Sequence, residues 1–124
     1  MEHIRRRDDR ELGEQLAGWG KVVLIETRGR RSGRPARAAV GFVEEPDGSL
    51  LVAAGDPDAD WALNLVEDPI CTATIAEVSH LARAEPIDGP DRSRAVRDLI
   101  LKYGTPAERL GNGLVFRLRP VVAA

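Results

Sequence analysis

The sequence is poor in cysteine and in long apolar runs, and each shortage excludes a class of protein. Cys71 is the single cysteine in 124 residues, which excludes an intramolecular disulfide and a cysteine-based metal cluster and fits a reducing compartment. No run approaches the roughly 18 consecutive apolar residues of a transmembrane helix. The charged N-terminus, residues 1–10, is not followed by the apolar stretch of a secretory signal. We therefore expect a cytoplasmic protein with no integral membrane segment.

A surplus of basic residues is also missing. The 18 lysines and arginines are outnumbered by 20 acidic residues, which gives a formal net charge of -2. Nucleic-acid binders usually carry a basic surplus, so we expect no nucleic-acid partner, and any anion binding must be local. The two histidines, His3 and His80, have no carboxylate or cysteine at ligand spacing, so we expect no metal site.

The length and the hydrophobic fraction of 43% indicate a single compact domain. Residues 1–20 mix charges with widely spaced apolar positions at Ile4, Leu12 and Leu16, a pattern typical of a short amphipathic helix or a loosely ordered arm. Residues 21–124 are then the folded domain.

Six segments show the β-branched enrichment or the apolar alternation of strands. They are residues 22–25, 38–43, 49–54, 70–76, 79–87 and 113–120. Residues 45–48 join two of them as a hairpin, because Pro46 presets φ and Gly48 tolerates a positive φ. The connections are too short for helical crossovers, so the strands run antiparallel, and curling into a barrel avoids exposed edges. The predicted fold is mainly β (α+β), a six-stranded antiparallel barrel with two or three flanking helices.

Two helices follow from spacing and capping signals. The first starts behind the aspartates of residues 56–60, which are offered as N-caps, and places Trp61 and Leu65 on one face until Asp68-Pro69 stops it. The second starts at residues 88–91, where a proline suits the first turn and acids complement the helix dipole. Its apolar face repeats at i, i+3, i+4 and i+7, and Gly104 ends it. That face consists of Val96, Leu99, Ile100 and Tyr103.

An arginine loop, residues 28–37, holds five arginines and no acid in a protein of net negative charge. One interpretation is a solvated hairpin loop that keeps a sheet edge from pairing. The pattern favours anion binding instead, because Gly29 and Gly33 leave backbone N–H groups free to approach a ligand and Ser32 adds a hydroxyl. Arginine guanidinium groups also match phosphate oxygens with two parallel hydrogen bonds.

Two stretches resemble the deazaflavin-dependent nitroreductase and quinone reductase family. The family pattern T-x-G-R-(K/R)-(S/T)-G-x-P-R is matched by residues 27–35, and its W-x-x-N-L helix is matched at residues 61–65, followed by Asp68-Pro69. The resemblance runs over about residues 22–121. It implies a split β-barrel of the FMN-binding type that binds coenzyme F420, a deazaflavin whose side chain carries a phosphate and a polyglutamate tail.

The resemblance also implies a set of site residues. The cofactor-binding residues are Arg28, Arg30, Arg31, Ser32 and Gly33 in the arginine loop, and Ala54, Gly55, Trp61 and Asn64 close to the ring system. Trp61 is explained equally well as a core-facing aromatic. Tyr103 is the predicted catalytic residue, a phenol that orients a nitro or quinone oxygen or donates a proton; its alternative role is a core tyrosine with a satisfied hydroxyl.

Three positions depart from the family pattern. Ala36 follows Pro35 where an arginine is customary, and Ala62 replaces an aromatic behind the tryptophan. Residues 55–60 form a short acidic loop where relatives commonly carry a glycine-rich loop with a lysine, so a cationic contact to the cofactor is missing there.

The expected activity is a hydride transfer from reduced F420 to an electron acceptor such as a quinone, a nitro compound or an activated alkene. The alternatives are an FMN-dependent oxidoreductase on the same barrel and a non-catalytic protein that carries the deazaflavin. A homodimer is also expected from the resemblance, because barrels of this kind often dimerise to complete their pockets.

Overall fold

The computed structural model describes residues 20–104 and 111–121. The elements in chain order are β1 (Val23–Arg28), β2 (Pro35–Val40), β3 (Val43–Glu44), β4 (Leu50–Ala53), α1 (Asp60–Glu67), β5 (Ile70–Ile75), β6 (Val78–Pro86), α2 (Gly89–Tyr103) and β7 (Val115–Pro120). The predicted N-terminal helix or arm lies outside the described residues.

The seven strands form one antiparallel sheet in the order β2-β1-β5-β6-β7-β4-β3. Strands β2 and β3 lie at opposite edges of this sheet, yet only Gly41 and Phe42 separate them in the chain. Three residue steps span at most about 11 Å, so the two edges must approach each other. The sheet therefore curls into a nearly closed barrel, which confirms the predicted architecture.

The structure has seven strands instead of the expected six. The extended segment at residues 38–43 breaks at Gly41 and Phe42, and its two halves join opposite edges of the sheet. The hairpin that follows is confirmed. Its turn is closed by hydrogen bonds between Glu45 and Ser49 and from the Gly48 N–H to the Glu45 carbonyl at 2.9 Å, with Gly48 at φ +88°.

The barrel interior is filled by the inward-facing side chains of alternating strand positions. They include Val23, Ile25, Leu50, Val52, Cys71, Ala73, Ala82, Ala84, Phe116 and Leu118. Helix α1 covers one end of this core, because Ala62 and Leu65 are buried in it and the ring of Trp61 lies 6.1 Å from that of Phe116. The expectation that Trp61 and Leu65 share one face is therefore confirmed.

Strand β4 is buried on both faces because α2 packs on the outside of the barrel. Leu51 and Ala53 face outward and form a second cluster with Leu99 and Val115. Leu99 is fully buried there and Tyr103 packs against the same cluster, so the predicted apolar face of α2 is confirmed. No helix in the described ranges is long and apolar enough to cross a membrane.

The barrel has two distinct ends. At the arginine end, β1 leads into β2 through the arginine loop and β4 leads into α1. At the opposite end, β2 leads into β3 and β5 turns into β6, and the C-terminal turn of α2 lies against the chain there. The two ends differ in what their polar side chains bond.

Candidate functional site

The arginine loop is closed by its own hydrogen bonds. The Gly29 N–H donates to the Arg34 carbonyl and the Gly33 N–H donates to the Gly29 carbonyl, both at 2.8 Å, and the Arg34 N–H donates to the Ser32 hydroxyl at 3.1 Å. Gly33 has φ +72°, and a Cβ at Gly29 would lie 2.8 Å from the Ser32 Oγ. The two glycines therefore serve the turn. The expectation that their N–H groups are free for a ligand is wrong, because both groups are used inside the loop.

A hydrogen-bond network that is buried at Thr27 and Asn64 joins the arginine loop to β1 and α1. The Asn64 Nδ2 donates to the Thr27 Oγ1 at 3.0 Å, and the Asn64 Oδ1 accepts from the Arg30 N–H at 3.2 Å and from the Arg30 Nη1 at 2.8 Å. The Arg30 Nη1 and Nη2 also reach the Asp60 carbonyl and carboxylate at 3.4 and 3.2 Å. We term these four residues, Thr27, Arg30, Asp60 and Asn64, the latch.

The structure thus brings together Arg30 and Asn64, two of the predicted cofactor-binding residues. Asn64 is buried beneath the loop, and its amide bonds to Thr27 on one side and to Arg30 on the other. The cofactor contacts expected for Asn64 and Arg30 stay predictions. Asp60 and Thr27 were not predicted as site residues, although Asp60 and Asn64 are spaced i,i+4 on α1 and therefore share a face.

The five arginines of the loop divide into two groups. Arg30 pairs with Asp60, and Arg37 donates to the Glu26 carboxylate at 3.0 Å. Arg28, Arg31 and Arg34 are exposed, and none of them forms an ion pair within the parts of the chain that the structure describes. We term them the exposed arginines. Three cations of one short loop that lack acidic partners in the described residues give this end of the barrel a local positive charge, on a protein of negative net charge.

The two residues at the end of β4 that are predicted to contact the ring, Ala54 and Gly55, differ in their exposure to solvent. Ala54 is 1% exposed, and its N–H donates to the Leu114 carbonyl at 2.8 Å. A Cβ at Gly113 would clash with the Ala54 carbonyl oxygen, so the two chain segments meet closely at this point. Gly55 is exposed. Gly55 is therefore the first residue after β4 that a ligand can contact.

The acidic loop that leads into α1 does not cap the helix as expected. The N-cap is Ala59, with no side-chain capping bond, and the helix begins at Asp60. The Asp56 carboxylate instead accepts the Asp58 N–H at 2.8 Å inside the loop, and Asp60 faces Arg30. Pairing with the arginine loop thus replaces capping as the role of Asp60.

A cavity of about 390 Å³ lies on the other side of the N-terminal turn of α1. It is lined by Pro57, Leu63, Pro86, Ile87, Asp88, Arg92, Asn112, Gly113, Leu114 and Val115. The Arg92 Nη2 donates to the carbonyls of Gly111 and Gly113 at 3.0 and 2.7 Å, which fixes this wall. Pro57 and Asp60 are three residues apart, at most about 11 Å, so the cavity and the latch flank the same turn.

Cys71 lies on the inward face of β5 near this end of the barrel and is 3% exposed. Burial, with a smaller contribution from the nearby Asp68 carboxylate, raises the pKa of its thiol from 9.0 to about 11. A thiol with a raised pKa is rarely present as the reactive thiolate at neutral pH. Cys71 is therefore a small residue of the barrel core.

Tyr103 lies at the opposite end of the barrel. Its hydroxyl donates to the Lys21 carbonyl at 2.8 Å and accepts the Phe42 N–H at 3.0 Å, and its ring would meet a Cβ at Gly41 at 2.9 Å. Lys21 precedes β1 and Arg28 ends it, and the five residue steps of β1 alone span about 17 Å. The structure therefore does not bring Tyr103 to the arginine loop, and its catalytic role stays a prediction.

The family model described as F420H(2)-dependent quinone reductase matches residues 1–109 of the chain. A solved structure titled F420-H2 Dependent Reductase (FDR-A) is 20% identical, with a TM-score of 0.67 over 80% of this chain and 94% of that one. A structure described as a domain-swapped dimer is 21% identical, with a TM-score of 0.68 over 95% and 98%.

The heme storage protein HutZ from Vibrio cholerae is 19% identical, with a TM-score of 0.65 over 89% of this chain and 88% of that one. At these identities the three structures share the fold with this chain, which confirms the split-barrel architecture. No curated protein matches the sequence. The expected homodimer stays a prediction.

Proposed function

The chain belongs to the F420H(2)-dependent quinone reductase family, and we propose that it passes a hydride from reduced F420 to a quinone, a nitro compound or an activated alkene. Membership identifies it as an oxidoreductase whose cofactor is coenzyme F420. The observation that carries the proposal on this chain is the group of exposed arginines beside the latch. An anionic cofactor needs such a surface, because its charge must be matched locally on a protein of net charge -2.

The donor set at the arginine end fits the phosphate-bearing side chain of the cofactor. Arg28, Arg31 and Arg34 would hold the anion, since guanidinium groups bind phosphate oxygens with two parallel hydrogen bonds. The Arg28 Nε and Nη2 lie 3.9 Å from where a Cβ of Gly33 would be, so the side chain of Arg28 crosses the turn next to Ser32. The predicted residues Ser32 and Gly33 therefore contribute an accessible surface at the centre of the arginines.

The ring system of the cofactor would lie toward Gly55 and the cavity beyond the first turn of α1. Leu63, Ile87 and Leu114 give this cavity apolar walls, and a volume of about 390 Å³ falls in the range of ligand pockets. Trp61 anchors α1 next to this region, because its ring packs against Phe116 in the barrel core. Gly55 allows close approach of a flat ring to the backbone, since it has no side chain.

When bound, reduced F420 supplies the hydride, from carbon five of its ring. The residues of this chain then have to hold the cofactor, orient the acceptor and exclude water. Apolar side chains such as Leu63 and Leu114 exclude water from the cavity, and the bonded Arg92 keeps its wall in place. This role requires no acid and base pair. The proposed activity therefore does not depend on the catalytic role that the sequence predicts for the Tyr103 hydroxyl.

Binding of F420 by variants of the exposed arginines tests the proposal. Each charge-assisted contact contributes about 1.5–3 kcal/mol, so Arg28→Ala with Arg31→Ala is expected to weaken binding by about two orders of magnitude or more. The measurement is a fluorescence titration of F420, and the control is Arg37→Ala, whose arginine already pairs with Glu26. Wild-type affinity in the double variant would eliminate the anion site and with it the main support for the proposal.

Turnover separates the enzyme from its alternatives. A non-catalytic carrier would bind reduced F420 without oxidising it faster in the presence of any of a panel of quinones and nitroaromatics. An FMN enzyme would bind FMN more tightly than F420 in a competition titration, and it is often yellow when purified. We expect F420 binding and accelerated oxidation by at least one acceptor of the panel.

A further inference from the structure

We infer that Arg30 is a positioning residue, which holds the arginine loop against α1 and leaves the anion to the exposed arginines. This inference rests on the proposed function, because it assigns roles within the same site. It departs from the simplest interpretation of the sequence, in which all neighbouring arginines of the loop grip the phosphate together.

Three hydrogen bonds already hold the side chain of Arg30 to α1. It is 17% exposed and donates to the Asn64 Oδ1, the Asp60 carbonyl and the Asp60 carboxylate. Arg31, its neighbour in the chain, is exposed. One arginine therefore faces the protein and the next faces solvent, so the two cannot have the same task.

Asn64 makes the attachment rigid. Its Nδ2 donates to the buried Thr27 Oγ1, and its Oδ1 accepts from both the backbone and the side chain of Arg30. Thr27 and Asn64 are 2% and 3% exposed, so loss of the bond between them would leave the buried Asn64 Nδ2 without its partner. The latch therefore ties β1, α1 and the arginine loop into one geometry.

Asp60 also changes the charge that a ligand meets. Its carboxylate lies 3.2 Å from the Arg30 Nη2, so an incoming anion would have to displace it before reaching this guanidinium. The charge of Arg30 is paired with the exposed carboxylate of Asp60, whereas Arg28, Arg31 and Arg34 have no acidic partner among residues 20–104 and 111–121. The site therefore presents three of the five arginines of the loop to a ligand, because Arg37 is paired as well, with Glu26.

The salt dependence of F420 affinity distinguishes positioning from anion contact. The slope of log affinity against log salt grows with the number of ionic contacts that a ligand makes. Arg31→Ala is expected to weaken binding and to flatten this slope. Arg30→Ala is expected to weaken binding by about tenfold or more with the wild-type slope, because the loop loses its geometry while the three contacting charges remain.

Arg30→Lys sharpens the test, because lysine keeps the charge but cannot bond Asn64 and Asp60 together as the planar guanidinium does. A positioning role predicts that Arg30→Lys loses affinity as Arg30→Ala does, and that both lower the melting temperature of the cofactor-free protein more than Arg31→Ala. An anion ligand at Arg30 predicts that lysine retains most of the affinity and that Arg30→Ala flattens the salt slope. Either of those last two results would overturn the inference.

The partner variant Asn64→Ala, combined with Arg30→Ala, gives an independent check. Two residues of one latch are expected to be coupled, so the double variant should lose little more affinity than either single variant. Additive losses would overturn the inference. Failure of the proposed function gives a different result, since Arg28→Ala with Arg31→Ala would then leave F420 affinity unchanged whatever the Arg30 variants do.

Discussion

At both ends of the barrel, side chains of a helix bond a neighbouring chain segment. The two ends differ in the charged groups that these bonds leave exposed. At the arginine end, side chains of α1 bond the tip of the β1–β2 hairpin through the latch. At the opposite end, the Tyr103 hydroxyl and the Lys102 ammonium bond the backbone of Lys21 and Phe42, and we term these two side chains the clasp. The clasp bonds mainly to backbone groups, whereas the latch leaves three cations exposed beside it.

This difference separates the clasp, which serves stability, from the latch, which lies beside the proposed anion site. The Lys102 ammonium lies 3.8 Å from the centre of the Phe42 ring and donates to the Phe42 carbonyl. Its charge therefore faces groups of the segment that it bonds. The clasp joins α2 to the crossover between the two sheet edges and thereby closes the barrel. The latch bonds a loop whose exposed arginines are the proposed anion contacts.

The largest expected effect concerns the packing that holds α2, and hence the clasp, on the barrel. Leu99→Ala is expected to destabilise the protein by about 2–5 kcal/mol, because Leu99 is fully buried against β4. Leu101→Ala is the matched control on the same helix, since Leu101 is 77% exposed and its truncation should change stability by less than about 0.5 kcal/mol. Thermal or urea unfolding measures both. Equal stabilities of the two variants would show that α2 does not pack as described.

A smaller effect is expected at the crossover that the clasp holds. A Cβ at Gly41 would lie 2.9 and 3.0 Å from two ring atoms of Tyr103, so Gly41→Ala forces the ring or the backbone to move. Overpacking of this kind costs about 1–3 kcal/mol. Gly111→Ala is the control, because nothing lies within 4 Å of its added methyl group. The comparison of the two ends also requires that F420 affinity per folded molecule stays at the wild-type value in Gly41→Ala.

The fold was largely predictable because its signals are local. Short connections and apolar alternation indicated the antiparallel barrel, and the spacing of Val96, Leu99, Ile100 and Tyr103 indicated the buried face of α2. The break at Gly41 and Phe42 was not predictable from the same signals, since residues 38–43 have an extended pattern throughout. Only the closure of the barrel, which brings the two sheet edges together, requires the chain to change edge there.

The loop was recognisable from the sequence, whereas the bonding of its arginines was not. Its composition and the family pattern indicated an anion site at this hairpin, which stays a proposal. They did not show that Arg30 faces Asn64 and Asp60, because that depends on how α1 packs across the end of the barrel. The free N–H groups expected at Gly29 and Gly33 failed for a similar reason, since a loop of this length closes by bonding its own backbone.

The smallest expected change in stability comes from Tyr103→Phe, which keeps the ring and removes the hydroxyl of the clasp. The variant loses the bonds to Lys21 and Phe42 and is expected to destabilise the protein by about 0.5–1.5 kcal/mol. Its position about 20 Å from the arginine loop predicts wild-type F420 affinity and wild-type turnover per folded molecule. A proton donor to the acceptor, the role implied by the family resemblance, predicts instead a large fall in turnover with affinity intact. Unfolding curves, F420 titration and steady-state oxidation of reduced F420 by a quinone, measured on the same preparation, separate these two roles. Stability and turnover are measured separately, so a change in one can be told from a change in the other. A fall in turnover without a change in stability would mean that the opposite end of the barrel takes part in catalysis. The division of tasks between the two ends would then not hold.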